Sequence, residues 1–224
     1  MLFLIDKNLR KAILQRGEFV DKQNIIVEYL TKLFPDAVCE LNFSSPFELL
    51  IAVVLSAQCT DKRVNDVTKV LFAKYKNAQE LANAKLQDVE EIIKPCGLYK
   101  NKAKHIVSAS KDICEKFGGD IPKQREQIES LAGVGRKTAN VVLSNLYNEN
   151  VIAVDTHVLR VSNRLGLANT KSPLVCEKSL NKVFAKNLKQ LHHRMVLFGR
   201  YYCKAKNPKC SDCELKTICK YYKG

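Results

Sequence analysis

The sequence predicts an all-α protein, and three observations carry that expectation. Apolar residues recur at helical spacing along most of the chain, and glycine or proline punctuates the gaps between periodic runs. Only one short stretch, "NVIAVD", reads as extended chain. At 224 residues the chain can bury a full core, in one large domain or two smaller ones.

The elements follow in order. From Phe19 to Leu33, the residues Val20, Ile25, Ile26, Tyr29, Leu30 and Leu33 mark one helix face. Phe47–Ser56, Val64–Lys74 and Lys102–Phe117 repeat the pattern. "CGLYKNKA" and "FGGDIP" read as loops from their glycine and proline content. A helix over about Lys123 to Leu131 runs into the glycine hairpin "LAGVG", formed by Leu131, Ala132, Gly133, Val134 and Gly135. A second helix leaves that hairpin, with Ala139, Val142, Leu143 and Leu146 as its buried stripe. Asp155, where extended chain meets a new helix, is a preferred N-cap residue. Ser172 and Pro173 form a second cap, opening a helix over "LVCEKSLNKVFAKNL".

Charge points to a partner. The chain carries 37 Lys and Arg against 23 Asp and Glu, a net +14. From Ala185 onward there are ten basic residues against Asp212 and Glu214, a local +8. A basic surface concentrated in this way favours a polyanion, most often nucleic acid. The apolar run before Asp6 is too short for an export signal. No segment approaches the roughly 18 apolar residues of a membrane helix. The expected compartment is therefore the cytoplasm, with reduced cysteines available as metal ligands.

Four of the nine cysteines crowd into one segment. Cys203, Cys210, Cys213 and Cys219 stand in a Cys-x6-Cys-x2-Cys-x5-Cys pattern, close enough to wrap one metal centre. A four-cysteine zinc site usually pairs two Cys-x2-Cys knuckles, and only one is present here. The longer, unequal gaps favour a [4Fe–4S] cluster over zinc. Cys39, Cys59, Cys96, Cys114 and Cys176 are scattered and read as small buried hydrophobes.

The hairpin raises a chemical question, because Arg136 and Lys137 follow it at once. Backbone N–H groups at a helix N-terminus hold phosphate without reading base sequence. A lysine there is a phosphate contact or, if neutral, a nucleophile. An ordinary lysine with a pKa of about 10.4 is neutral in only about one molecule in 2,500 at pH 7. A lysine nucleophile therefore needs desolvation, with the helix dipole supplying the smaller part. An aspartate such as Asp155 would not lower the pKa of that amine, but it suits stabilisation of a developing sugar cation or transfer of protons.

Taken together, "LLIAVVLSAQCTD", "GLYKNKA", "LAGVGRKTANVV", "IAVDTHVLRV" and the four-cysteine tail resemble the endonuclease III family of DNA base-excision glycosylases, in order and spacing. The resemblance implies a helical barrel domain over 39–149 bearing a helix-hairpin-helix motif. It implies a second domain built from 1–38 and 150–224, with a C-terminal [4Fe–4S] cluster loop. DNA would enter the groove between them, with Lys137 as nucleophile and Asp155 opposite it. Leu131, Gly133, Val134 and Gly135 would grip backbone phosphates. Gln58 would fill the space left by a flipped nucleotide, and Leu98 would wedge into the other strand. Residue pattern alone reads these two as a helix-surface glutamine and a core leucine. Lys204, Lys206 and Lys209 would meet DNA beside the cluster, and His157 reads as a packed or capping histidine, with a DNA contact as the alternative.

The activity implied is that of a bifunctional glycosylase and apurinic/apyrimidinic lyase. It would act as a monomer on double-stranded DNA, removing oxidised pyrimidines and nicking the strand by β-elimination. The alternatives are a monofunctional mismatch glycosylase, which usually lacks the hairpin lysine, and a non-catalytic iron–sulfur DNA-binding protein. One departure from the family pattern stands at Ala132, where proline is usual.

Overall fold

The computed structural model describes residues 22–223, and every described regular element is a helix or a short 3-10 turn. The N-terminal run and the start of the first expected helix, at Phe19 and Val20, lie outside the described residues. Helix α1 covers 22–33 in its described part. Then come α2 (Pro46–Leu55), α3 (Asp61–Lys74), α4 (Ala78–Ala82), α5 (Leu86–Ile93) and a 3-10 turn at Lys94–Cys96. They are followed by α6 (Tyr99–Phe117), α7 (Arg125–Glu129), α8 (Arg136–Leu146), α9 (Thr156–Arg164), α10 (Pro173–Val183) and α11 (Leu188–Tyr201), with a second 3-10 turn at Glu214–Thr217.

The chain divides into two compact units, one over Val38–Ala153 and one joining the residues up to Ala37 with Val154 onward. The first is built around α2, whose residues Phe47 and Leu49 to Leu55 are all buried. A helix apolar on every side belongs in the middle of a core, and α3, α6 and α8 pack around it. Its start is set by Ser45, whose side chain accepts from the Glu48 N–H while Glu48 accepts from Ser44. The first bond satisfies a donor that the opening turn leaves free, and the second ties the chain before the cap to the helix. In the second unit α9 lies against α11. Gly199 permits the close approach, since a Cβ there would sit 2.8 Å from Cβ of His157.

Several expectations need correction. "CGLYKNKA" is a loop only as far as Leu98, because α6 begins at Tyr99. The helix before the hairpin is shorter than Lys123 to Leu131, spanning Arg125–Glu129. The run after Pro173 is two helices: α10 ends at Val183, and Asn187, left-handed at φ 59°, caps α11. At "NVIAVD" no strand forms, and the reading as plain extended chain stands. Its extended backbone is held by buried Asn140, which donates to the Ile152 carbonyl at 2.8 Å and accepts from Arg125. Of the five scattered cysteines only Cys96 and Cys176 are buried; Cys39, Cys59 and Cys114 are half-buried.

Candidate functional site

The hairpin between α7 and α8 is closed by the Val134 N–H donating to the Leu131 carbonyl at 3.1 Å. Leu131 and Val134 are buried and root the hairpin in the core. Gly133, at the third position of this turn, has φ +76°. A positive φ there marks a type II turn, which accepts glycine at little cost. Space adds a second demand, because a Cβ on Gly133 would lie 2.8 Å from Cβ, Cγ and Nδ1 of His105.

Gly135 is a different case. Its backbone is extended, with φ −105° and ψ 179°, and it caps α8 without any side-chain hydrogen bond. A Cβ there would meet nothing within 4 Å. Folding therefore does not demand glycine at 135. Its absent side chain leaves the N-terminus of α8 open to a phosphate approaching the backbone. Lys137, second residue of α8, is exposed. The shelter that a neutral amine needs is not built around it.

Two loops of the same unit carry residues in an unusual backbone state. Gln58 has φ 54° and Leu98 has φ 47°, both in the left-handed region that costs a residue with a Cβ roughly 1–2 kcal/mol. Gln58 lies in the turn after α2, closed by the Cys59 N–H donating to the Ser56 carbonyl at 3.1 Å. Leu98 stands between the first 3-10 turn and α6 and is 61% exposed. Neither pattern-based reading survives, since Gln58 is not on a helix and Leu98 is not in the core. Strain of this kind persists where the surroundings over-determine it, and it concentrates at ligand-contacting positions.

Asp155 caps α9, accepting from the Val158 N–H at 2.7 Å, and is half-buried. It belongs to the unit that begins at Val154, whereas Lys137 belongs to the other. His157, second residue of α9, packs on Gly199 and its Nδ1 lies 3.1 Å from the Arg160 guanidinium.

The four C-terminal cysteines, all half-buried, line one common cavity. Among the described residues no three His, Cys, Asp or Glu side chains are grouped to hold a metal ion. Four thiols lining one cavity are a donor set that fits a sulfur-anchored group, and Leu165, Phe198, Tyr202 and Pro208 are among its other walls. Arg164 organises its rim: its guanidinium donates to the carbonyls of Lys204 (2.7 Å) and Ala205 (3.2 Å) and to Sγ of Cys203 (3.4 Å). The Arg164 carbonyl in turn accepts from the Lys220 N–H at 2.9 Å, so one residue holds both ends of the segment. Burial raises the Cys203 thiol pKa, and the Arg164 contact opposes it. Lys204, Lys206 and Lys209 are exposed on this loop, with the Lys209 ammonium 4.9 Å from the Tyr202 ring centre.

Comparison with known proteins agrees on one family. Residues 51–186 match the HhH-GPD superfamily base excision DNA repair proteins. The chain is 51% identical over 190 residues to endonuclease III of Bacillus subtilis (strain 168), covering 84% of this chain and 87% of that one. A trapped endonuclease III–DNA covalent intermediate superposes with a TM-score of 0.85 at 48% identity, covering 89% of this chain and 96% of that one. A non-covalent endonuclease III–DNA complex gives 0.86 at 48% identity, covering 89% and 95%.

Proposed function

This chain belongs to the HhH-GPD superfamily of base excision DNA repair proteins, within the endonuclease III family, and on that premise we propose that Lys137 and Asp155 carry its DNA glycosylase and AP lyase activity. The observation that carries the proposal is the hairpin. Gly133 is demanded by its fold, Gly135 is left bare at the mouth of α8, and Lys137 projects from the first turn beside it.

The chemistry follows from those groups. A phosphate of the bound strand is held by N–H groups at the start of α8, with the helix dipole favouring the anion. The damaged nucleotide is turned out of the duplex, at a cost of a few kcal/mol that a lesion reduces. Gln58 fills the gap it leaves, and Leu98 wedges into the opposite strand. The lone pair of the Lys137 amine attacks C1′ as the bond to the base breaks, and the base leaves with a proton. Asp155 stabilises the positive charge that develops on the sugar. The C1′ adduct opens to a Schiff base. Loss of a C2′ proton then expels the 3′ phosphate, and water releases the amine. Oxidised pyrimidines are the bases the family resemblance points to, and a panel of lesion-bearing duplexes scored separately for base release and nicking tests that choice.

Cys203, Cys210, Cys213 and Cys219 would hold a [4Fe–4S] cluster. That group would supply four anchors fixing the shape of the loop that bears Lys204, Lys206 and Lys209, which meets the DNA backbone.

Borohydride reduction on abasic duplex tests the centre of this reading. The expected result is a covalent protein–DNA adduct that disappears in Lys137→Gln. Asp155→Asn keeps the capping oxygen, so it should fold normally yet slow turnover on the order of 100-fold or more. An adduct persisting in Lys137→Gln removes that residue from the role, and binding without any nicking by the wild-type protein removes the lyase activity.

A further inference from the structure

Among the described residues one lysine is buried rather than exposed. Lys102, on the first turns of α6, is only 4% exposed. Its ammonium donates to the Leu55 carbonyl and to the Cys96 carbonyl, each at 2.9 Å. Its backbone N–H donates to the Leu98 carbonyl at 3.0 Å. Burying an ammonium is costly unless it is well paired. Here its partners are the carbonyl that ends α2 and the carbonyl that ends the 3-10 turn, where helix dipoles favour a cation. Gln58 lies three residues after Leu55, and Leu98 two residues after Cys96.

We propose that Lys102 is a positioning residue that fixes the Gln58 loop and the Leu98 loop at one mutual spacing, so that both side chains enter a duplex together. The inference rests on the reading of Gln58 and Leu98 as the residues that fill and wedge the opened duplex. It goes further by identifying what holds them. Two separate loops, each with a non-glycine residue in the left-handed region, are joined by one buried charge through two hydrogen bonds. A neutral or shorter side chain at 102 leaves two buried carbonyls short of a partner and lets the loops move independently. Burial lowers the Lys102 pKa, but the two short bonds to carbonyl dipoles keep the ammonium form in use.

The test separates loop positioning from general damage by comparing substrates. Lys102→Met retains the volume and removes the charge; Lys102→Gln retains one donor and guards against a variant that fails to fold. Nicking is measured on an abasic site in duplex DNA and in a single strand, where no partner strand has to be wedged. The expected result is at least a tenfold loss on duplex for Lys102→Met, a smaller loss for Lys102→Gln, and less than a twofold change on the single strand. Adding Leu98→Ala to Lys102→Met should then cost little more, because the wedge is already misplaced. Equal slowing on both substrates, or full additivity of the two substitutions, overturns the role of Lys102. Wild-type duplex activity in Leu98→Ala and Gln58→Ala alone would instead overturn the wedge assignment, and so is told apart.

Discussion

The two hairpin glycines flank Val134 and look alike in sequence, yet they should fail for opposite reasons when each is changed to alanine. At Gly133 the new methyl is forced into a left-handed backbone, costing about 1–2 kcal/mol. It also meets His105 at 2.8 Å. The His105 ring is exposed and can rotate away, but its Cβ moves only if α6 moves. Overpacking of that kind adds about 1–3 kcal/mol. Gly133→Ala should therefore destabilise the protein by about 2–5 kcal/mol in urea unfolding. At Gly135 the backbone is ordinary and the space around a Cβ is open, so the cost is limited to replacing glycine by a poorer N-cap, about 1 kcal/mol or less. The same methyl stands where a phosphate has to approach. Losing one hydrogen bond to a charged group costs about 1.5–3 kcal/mol, which is about a ten- to hundredfold rise in Kd. Fluorescence anisotropy with a duplex carrying a non-cleavable abasic analogue reads that change. Gly135→Ala binding as tightly as wild type would refute the phosphate argument. Gly133→Ala staying within 1 kcal/mol of wild type would refute the steric one.

Other expectations follow from the same geometry. Ala132 occupies the second position of the turn closed by Val134, where proline suits a type II turn, so Ala132→Pro should raise stability by about 0.4–1 kcal/mol in the same unfolding assay. His193 is buried, and among the described residues its Nε2 has no hydrogen-bond partner; burial, then His192 and Lys189, pushes its pKa down to about 3. The unfolded chain binds that proton below about pH 6.5 and the folded chain does not, so stability should fall by up to about 1.4 kcal/mol per pH unit from pH 6 towards 3. His193→Leu should flatten that slope in pH-dependent denaturation. Cys213→Ser should abolish the visible absorbance of an iron–sulfur cluster and open the segment 203–219 to limited proteolysis, while borohydride trapping through Lys137 on abasic DNA persists at reduced affinity.

Local pattern reached those elements whose period is long enough to repeat. Helices α2, α3, α6 and α8 each show two or more turns of apolar spacing, and all four stand close to their expected places. Helix α4, five residues long, has no room for a period. The division between α10 and α11 escaped because "FAKN" contains neither glycine nor proline, and the break depends on Asn187 adopting a left-handed backbone. The hairpin and the cysteine spacing stand out in sequence because each needs particular residue types at fixed short offsets.

Lys102 is the counterexample. Within "YKNKAK" it reads as one more solvated charge, and nothing local marks it for burial. Its environment is created by the end of α2, 47 residues away, arriving over α6. The start of α6 was misplaced for a related reason: leucine at an N-cap, left-handed and without a side chain able to cap, violates the local rules for opening a helix. A chain that satisfied those rules would put serine or aspartate at 98 and gain about 1 kcal/mol. Keeping an exposed leucine there sacrifices local stability, while the buried Lys102 ammonium ties the Cys96 carbonyl, two residues before Leu98, to the Leu55 carbonyl that ends α2. A local rule broken at an exposed position, two residues from a buried charge, is the arrangement that the proposed wedge role of Leu98 accounts for.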